Sequence, residues 1–105
     1  GLVGWATEEL SNNREINGFS NSWFNPIHVN QASGQIRAII EKNKSGLIEA
    51  FGDIAVSKYD FIKQVAAKKN LRKELIIKTN LKKEQDLVWN TEGNCLSYKK
   101  CMELI

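Results

Sequence analysis

The stretch SKYDFIK, residues 57–63, sets a tyrosine and a lysine four positions apart. On a helix that spacing puts Tyr59 and Lys63 on one face, with Cβ atoms about 6 Å apart. Such a pair can do acid–base chemistry. An ammonium beside a phenol lowers its pKa, and the hydroxyl can then give a proton to a carbonyl oxygen whose carbon receives a hydride. Hydride transfer also requires a cradle for a dinucleotide, normally a glycine-rich turn between a strand and a helix. No GxGxxG or GxxGxxG occurs in the chain. Gly1 and Gly4 begin the spacing, but Trp5 would crowd a pyrophosphate. A chain of 105 residues is also too short to build a dinucleotide-binding sheet beside a substrate pocket. The pair is therefore expected to be structural, with Tyr59 shielding the edge of the core and Lys63 solvated. No catalytic residue is expected here.

The segment Trp23–His28 is the better candidate for meeting a ligand. Trp23 can stack on a sugar or a base, and Asn25 and His28 can hydrogen-bond hydroxyls or phosphate oxygens. The plainer accounts are that Trp23 and Phe24 pack a long loop and that His28 orders the entrance of a helix. A metal site is not expected, because His28 is the single histidine and no acidic cluster adjoins it. Lys68, Lys69, Arg72, Lys73, Lys78, Lys82 and Lys83 could form a phosphate-binding face. However, Leu71, Leu75, Ile76 and Ile77 interrupt that run and Glu74 and Glu84 offset it, so a solvated surface around an apolar segment is expected.

These residues need elements to position them. Hydrophobic residues make up 42% of the chain and the net charge is +3, which fits one compact domain with a real core and does not call for nucleic acid. No apolar run approaches the ~20 residues of a membrane span. No signal peptide is visible, and a cytoplasmic setting is expected. Cys95 and Cys101 match neither a redox CxxC nor a zinc pair, and free thiols are expected, with a disulfide as the alternative. Leu2, Val3, Trp5, Ala6 and Leu10 mark a first helical stripe, and residues 15–19 a short strand. A loop through Pro26 leads to a helix over 30–43, capped by Asn30, with Ala32, Ile36, Ile39 and Ile40 at helical spacing. GLIEAFG, residues 46–52, suggests a strand, and Ser57 caps a helix through Lys69 that turns Phe61, Ile62, Val65 and Ala66 inward. An extended segment at 75–77 and a last helix from Ser97, carrying Tyr98, Cys101, Met102, Leu104 and Ile105, complete the order. That alternation predicts a small α/β domain with helices packed on a short sheet.

Three stretches carry a resemblance to a known family. FNPIHVNQASGQIRAII resembles the segment of dTDP-4-dehydrorhamnose reductases in which a Ser-Pro-Thr or Arg-Asp-Tyr-Ile-His-Val run enters a helix. SGLIEAFGDIAVSKYDFIKQVA is similar to the family's unit of strand, glycine turn and serine-capped helix, and NTEGNCLSYKKCMELI to its closing segment. The resemblance covers most of the chain in the family's order. It implies the C-terminal, substrate-binding lobe of an NAD(P)-dependent sugar-nucleotide reductase of the extended short-chain dehydrogenase group. The family's catalytic Tyr and Lys lie upstream, so SKYDFIK matches a different, structural helix.

Several expectations follow from the resemblance. Residues 1–105 form a single substrate-binding domain, a fragment without its N-terminal Rossmann half; the sequence also opens directly on a helix with no initiator Met. The chain holds no cofactor and is not active alone, whereas its parent uses NAD(P)H on a sugar-nucleotide substrate. Apolar surface that the missing half would cover, namely Leu2, Trp5, Ala6 and the Trp23–Phe24 pair, favours self-association. The chain also departs from the family. Phe24 and Trp89 stand where arginines often hold the diphosphate, and neither can replace a bidentate guanidinium. Either a sugar nucleotide is held differently or its binding has been lost. The alternatives to a substrate lobe are a stand-alone module that binds nucleic acid or protein, and a non-enzymatic regulatory descendant of the reductases.

Overall fold

The computed structural model describes residues 1–41, 52–87 and 95–105, and of Ile39 and Leu87 the backbone alone. The contacts fall into two units, residues 1–24 with 56–88 and residues 25–55 with 89–105.

In the first unit, helix α1 (Leu2–Ser11) buries Ala6 and Leu10. Asn13 ends it in the left-handed region, at φ 56°. From there the Asn13 N–H donates to Leu10 O at 3.0 Å and the Arg14 N–H to Glu9 O at 3.0 Å. This double bond closes the orphan carbonyls of the last turn, and a short carbonyl-side asparagine tolerates the φ it needs. The Arg14 guanidinium also meets the Glu9 carboxylate at 2.6 Å. Helix α3 (Lys58–Lys68) starts on Ser57, whose Oγ accepts from the Asp60 N–H at 3.1 Å. It turns Phe61, Ile62, Val65 and Ala66 inward, the four residues expected from the sequence. It closes as α1 does: Asn70 takes φ 53°, and the Leu71 N–H donates to Ala66 O at 2.9 Å. Ala6, Leu10, Ile16, Ile62, Ala66 and Ile76 form the core, with Leu2, Tyr59, Leu71 and Leu75 packed against it. Full burial of one side chain such as Ile62 stabilises the unit by about 1.5–3 kcal/mol.

Strand β1 (Ile16–Phe19) pairs in parallel with β4 (Ile76–Thr79), which aligns Ile16 with Ile76 and Gly18 with Lys78. Beyond a joint, β2 (Ser22–Phe24) pairs in parallel with β5 (Gln85–Leu87) and antiparallel with β3 (Val56–Ser57). At the joint, Ser20 and Asn21 of one strand face residues 80–84 of the other. The Asn21 amide serves as a stand-in peptide: its Nδ2 donates to Leu81 O at 2.9 Å and its Oδ1 accepts from the Leu81 N–H at 2.8 Å. The Ser20 hydroxyl donates to Asn80 Oδ1. Both β2 and β5 differ from the sequence expectation, which read a loop at the first and no element at the second. Each is three residues long, too short for an alternating pattern to declare itself. Ladder bonds to neighbours hold them instead.

The expected apolar stripe of α1 is not an exposed stripe. Ala6 is 1% exposed and Leu2 packs on the core, which leaves Trp5 exposed. Phe24 is likewise engaged, edge-on to Phe61 with ring centroids 5.3 Å apart.

In the second unit, helix α2 (Val29–Glu41) begins one residue before the expected cap. Its orientation also departs from expectation. Ile36 and Ile40 are 56% and 68% exposed, whereas Gln31, Ala32, Gln35 and Ala38 are half-buried. The cause lies at its start, where Gln31 is anchored by both ends of its amide. Its Oε1 accepts from the His28 N–H at 2.9 Å and its Nε2 donates to Ser97 O at 2.8 Å. Fixing residue 31 on the inner face carries 35 and 38 with it at helical spacing. Ser97 caps the last helix, α4 (Tyr98–Leu104), as expected; Tyr98 and Cys101 are buried and Leu104 is exposed. Cys95 precedes that helix and is exposed, and neither cysteine forms a disulfide. Gly52 bridges Leu96 in parallel. A Cβ on Gly52 would lie 2.6 Å from Pro26 O, so the approach of the two backbone segments requires glycine. The rest of the strand expected at 46–52 lies outside the described residues, as do residues 42–43 of the expected helix and Trp89.

Candidate functional site

Tyr59 and Lys63 do share one face of α3, with the ammonium placed over the ring. The Tyr59 ring lies on Gly18, where an added Cβ would fall 2.7 Å from Tyr59 Cδ2 and 3.0 Å from Ile76 Cγ2. The Lys63 ammonium stands 5.3 Å from the ring centroid, a cation–π placement. Tyr59 thus guards the edge of the core, as the sequence suggested, while Lys63 is half-buried against it and not simply solvated. Lys78 joins them from β4, with its ammonium 5.7 Å from the same centroid. Sequence spacing could not reveal that partner; the β1–β4 register, which sets Lys78 beside Gly18, brings it there.

Trp23, in the first unit, faces outward from β2. Its neighbours Ser22, fully buried, and Phe24, against Phe61, take the other face, which leaves Trp23 36% exposed. In-register residues of paired strands project to the same side of a sheet, so Asp86 stands beside Trp23. Asp86 is exposed. The pairing puts a carboxylate acceptor next to an aromatic plate.

Asn25 and His28 belong to the second unit. The Asn25 Nδ2 donates to Gly52 O at 3.0 Å, which ties the segment before α2 to the chain near the Gly52 bridge. His28 occupies the N-cap position of α2. Its carbonyl accepts from the Gln31 and Ala32 N–H groups, and its Nδ1 accepts from the Asn30 N–H at 3.1 Å. With the Gln31 side chain reaching back to the His28 N–H, this is a reciprocal capping box. His28 therefore orders the helix entrance, the plainer of its two expected roles. The tautomer with a proton on Nε2 is the one that leaves Nδ1 to accept.

Gly4 lies within α1, not in a strand-to-helix turn, and Gly1 precedes the helix. Among the described residues no three His, Cys, Asp or Glu side chains come together to hold a metal ion. Among them too, no helix is long and apolar enough to cross a membrane. The basic residues 68, 69, 72, 73, 78, 82 and 83 are all exposed. Glu74 is held below the usual carboxylate range, chiefly by its hydrogen bond from Arg72, whose Nε donates to Glu74 Oε1 at 2.8 Å.

No protein-family model matches the sequence, and no curated protein does. Solved structures do match. The chain is similar to a dTDP-4-dehydrorhamnose reductase from Bacillus anthracis, solved in complex with NADP, with a TM-score of 0.68 and 15% identity over 74% of this chain and 27% of that one. It is also similar to a hypothetical dTDP-4-dehydrorhamnose reductase from Sulfolobus tokodaii, with a TM-score of 0.67 and 20% identity over 77% of this chain and 29% of that one. The chain thus has the small α/β fold of part of these reductases and spans little more than a quarter of their length. The resemblance read in three stretches of sequence is also a resemblance of structure.

Proposed function

We propose that this chain is the substrate-binding part of a dTDP-4-dehydrorhamnose reductase-like, NAD(P)-dependent oxidoreductase, corresponding to the C-terminal lobe. The observation that carries the reading is the shared fold, which takes in about three quarters of this chain and only about a quarter of each reductase. The absence of GxGxxG and GxxGxxG from the sequence and the packing of the Tyr59 ring on Gly18 agree with it. In this reading NAD(P)H and the hydride chemistry belong to a Rossmann half outside this chain, and the parent enzyme is cytoplasmic.

Trp23 stacks on the ligand, and the Asp86 carboxylate beside it accepts sugar hydroxyls and repels phosphate. The exposed plate is thereby suited to the sugar end of a sugar nucleotide and not to its diphosphate. Asn25 and His28, in the second unit, are separate candidates for ligand contact. The Asn25 amide and the His28 Nδ1 already hold backbone groups, so His28 meets a ligand through Nε2. Of the surfaces that would favour self-association, Trp5 and Trp23 remain exposed.

Titration with a dTDP-sugar, followed by isothermal titration calorimetry, tests the assignment. The expected result is a saturable change that Trp23→Ala abolishes, Trp23→Phe largely keeps and Asp86→Asn weakens. A signal that never saturates, or that survives Trp23→Ala unchanged, would remove the substrate role.

A further inference from the structure

The Tyr59–Lys63 pair is left without a part in hydride chemistry, yet the fold adds a second cation to it. The ammonium groups of Lys63 and Lys78 stand 5.3 and 5.7 Å from one ring centroid, the first from α3 and the second from β4. The arrangement is built by register and not by chance exposure: Lys78 aligns with Gly18, and the absent side chain of Gly18 admits the Tyr59 ring. The three ion pairs among the described residues involve neither lysine. Along the sequence, residues 58–84 hold nine Lys and Arg against three carboxylates, Asp60, Glu74 and Glu84, and Glu74 is engaged by Arg72. Each ammonium is held there by the weak attraction of an accessible ring, and an anion that meets it gains a charge-assisted bond.

We propose that Tyr59, Lys63 and Lys78 form a binding site for a phosphate-bearing anion of the phosphate or diphosphate class. Lysine ammoniums recognise phosphate as point charges and need no planar fork, so the site tolerates either geometry. Half-burial of Lys63 strengthens its share of the interaction relative to a fully solvated lysine. The site lies away from Trp23 in sequence and does not depend on the reductase reading.

The experiment is a titration of the full chain with inorganic pyrophosphate at constant ionic strength, followed by the ring signals of tyrosine in 1H–13C NMR. The chain has two tyrosines, and Tyr98, buried in the other unit, is the internal control. Tyr59 signals should move saturably while those of Tyr98 stay in place. Lys63→Gln and Lys78→Gln should each weaken binding about tenfold, the loss of one charge-assisted bond. Lys82→Gln, at an exposed lysine outside the trio, should weaken it by no more than about twofold. Lys63→Arg and Lys78→Arg should retain binding, which separates lost charge from lost folding. A linear drift without saturation would overturn the site. So would an equal loss in Lys82→Gln, or tight binding of oligothymidylate where pyrophosphate has no effect, since either would mark a diffuse polyanion surface.

Discussion

Gly18 lacks a side chain because the Tyr59 ring and the α3 backbone occupy the space one would need. A methyl there would lie 2.7 Å from Tyr59 Cδ2 and 3.1 Å from Tyr59 Cα. The ring can turn, but the helix backbone cannot follow cheaply. Gly18→Ala should therefore destabilise the chain by about 1–3 kcal/mol in urea unfolding. An unchanged midpoint would mean that α3 is held less closely on β1 than described. His28 makes a different kind of claim. As the cap of α2 it should lose about 1 kcal/mol on His28→Ala and almost nothing on His28→Asn, because asparagine caps as well. If asparagine is as damaging as alanine, the ring has a role beyond the cap. At Glu74 the sign is fixed by the Arg72 bond. A lowered carboxylate pKa gives support that is present above the ordinary value and fades as pH falls through the lowered one. Glu74 is fully exposed, so the measure is its own titration by NMR: Arg72→Ala should raise it toward the usual range and leave the unfolding midpoint nearly unmoved.

Helices α1 and α3 end alike, each with an asparagine in the left-handed region and an N–H reaching back over the last turn. Asn70→Gly should keep or slightly raise stability, whereas Asn70→Ala should cost about 1–2 kcal/mol because alanine resists positive φ. Equal midpoints for the two variants would contradict the closing motif. Helix α3 was legible from sequence, since Ser57 and the spacing of Phe61, Ile62, Val65 and Ala66 point the same way. The placement of α2 was not. Its hydrophobic residues predict one buried face, but the two bonds of Gln31 turn another face inward, and a hydrogen bond to Ser97, 66 residues away in sequence, leaves no local signal. Strand β5 was invisible for a related reason: Gln85 and Asp86 are exposed, and only pairing with β2 makes them a strand. The same holds for the candidate sites. Trp23 was apparent as an aromatic in a polar stretch, but its neighbour Asp86, and Lys78 beside Tyr59, follow from register alone.

Across the whole molecule, the charge and the aromatic groups are assigned to different tasks. Tyr59, Lys63 and Lys78 gather on the β1–β4 pair, and Trp23 with Asp86 on the β2–β5 pair. Neither group includes a glycine-rich turn that could receive a dinucleotide, although the fold matches reductases that are far longer than this chain. The central claim is that the chain supplies sugar contacts and leaves the hydride donor to a part outside it. Isothermal titration calorimetry with NADPH tests that claim most directly. The account predicts heats no larger than those of an unrelated control protein, while stoichiometric, saturable binding of NADPH to this chain alone would contradict it.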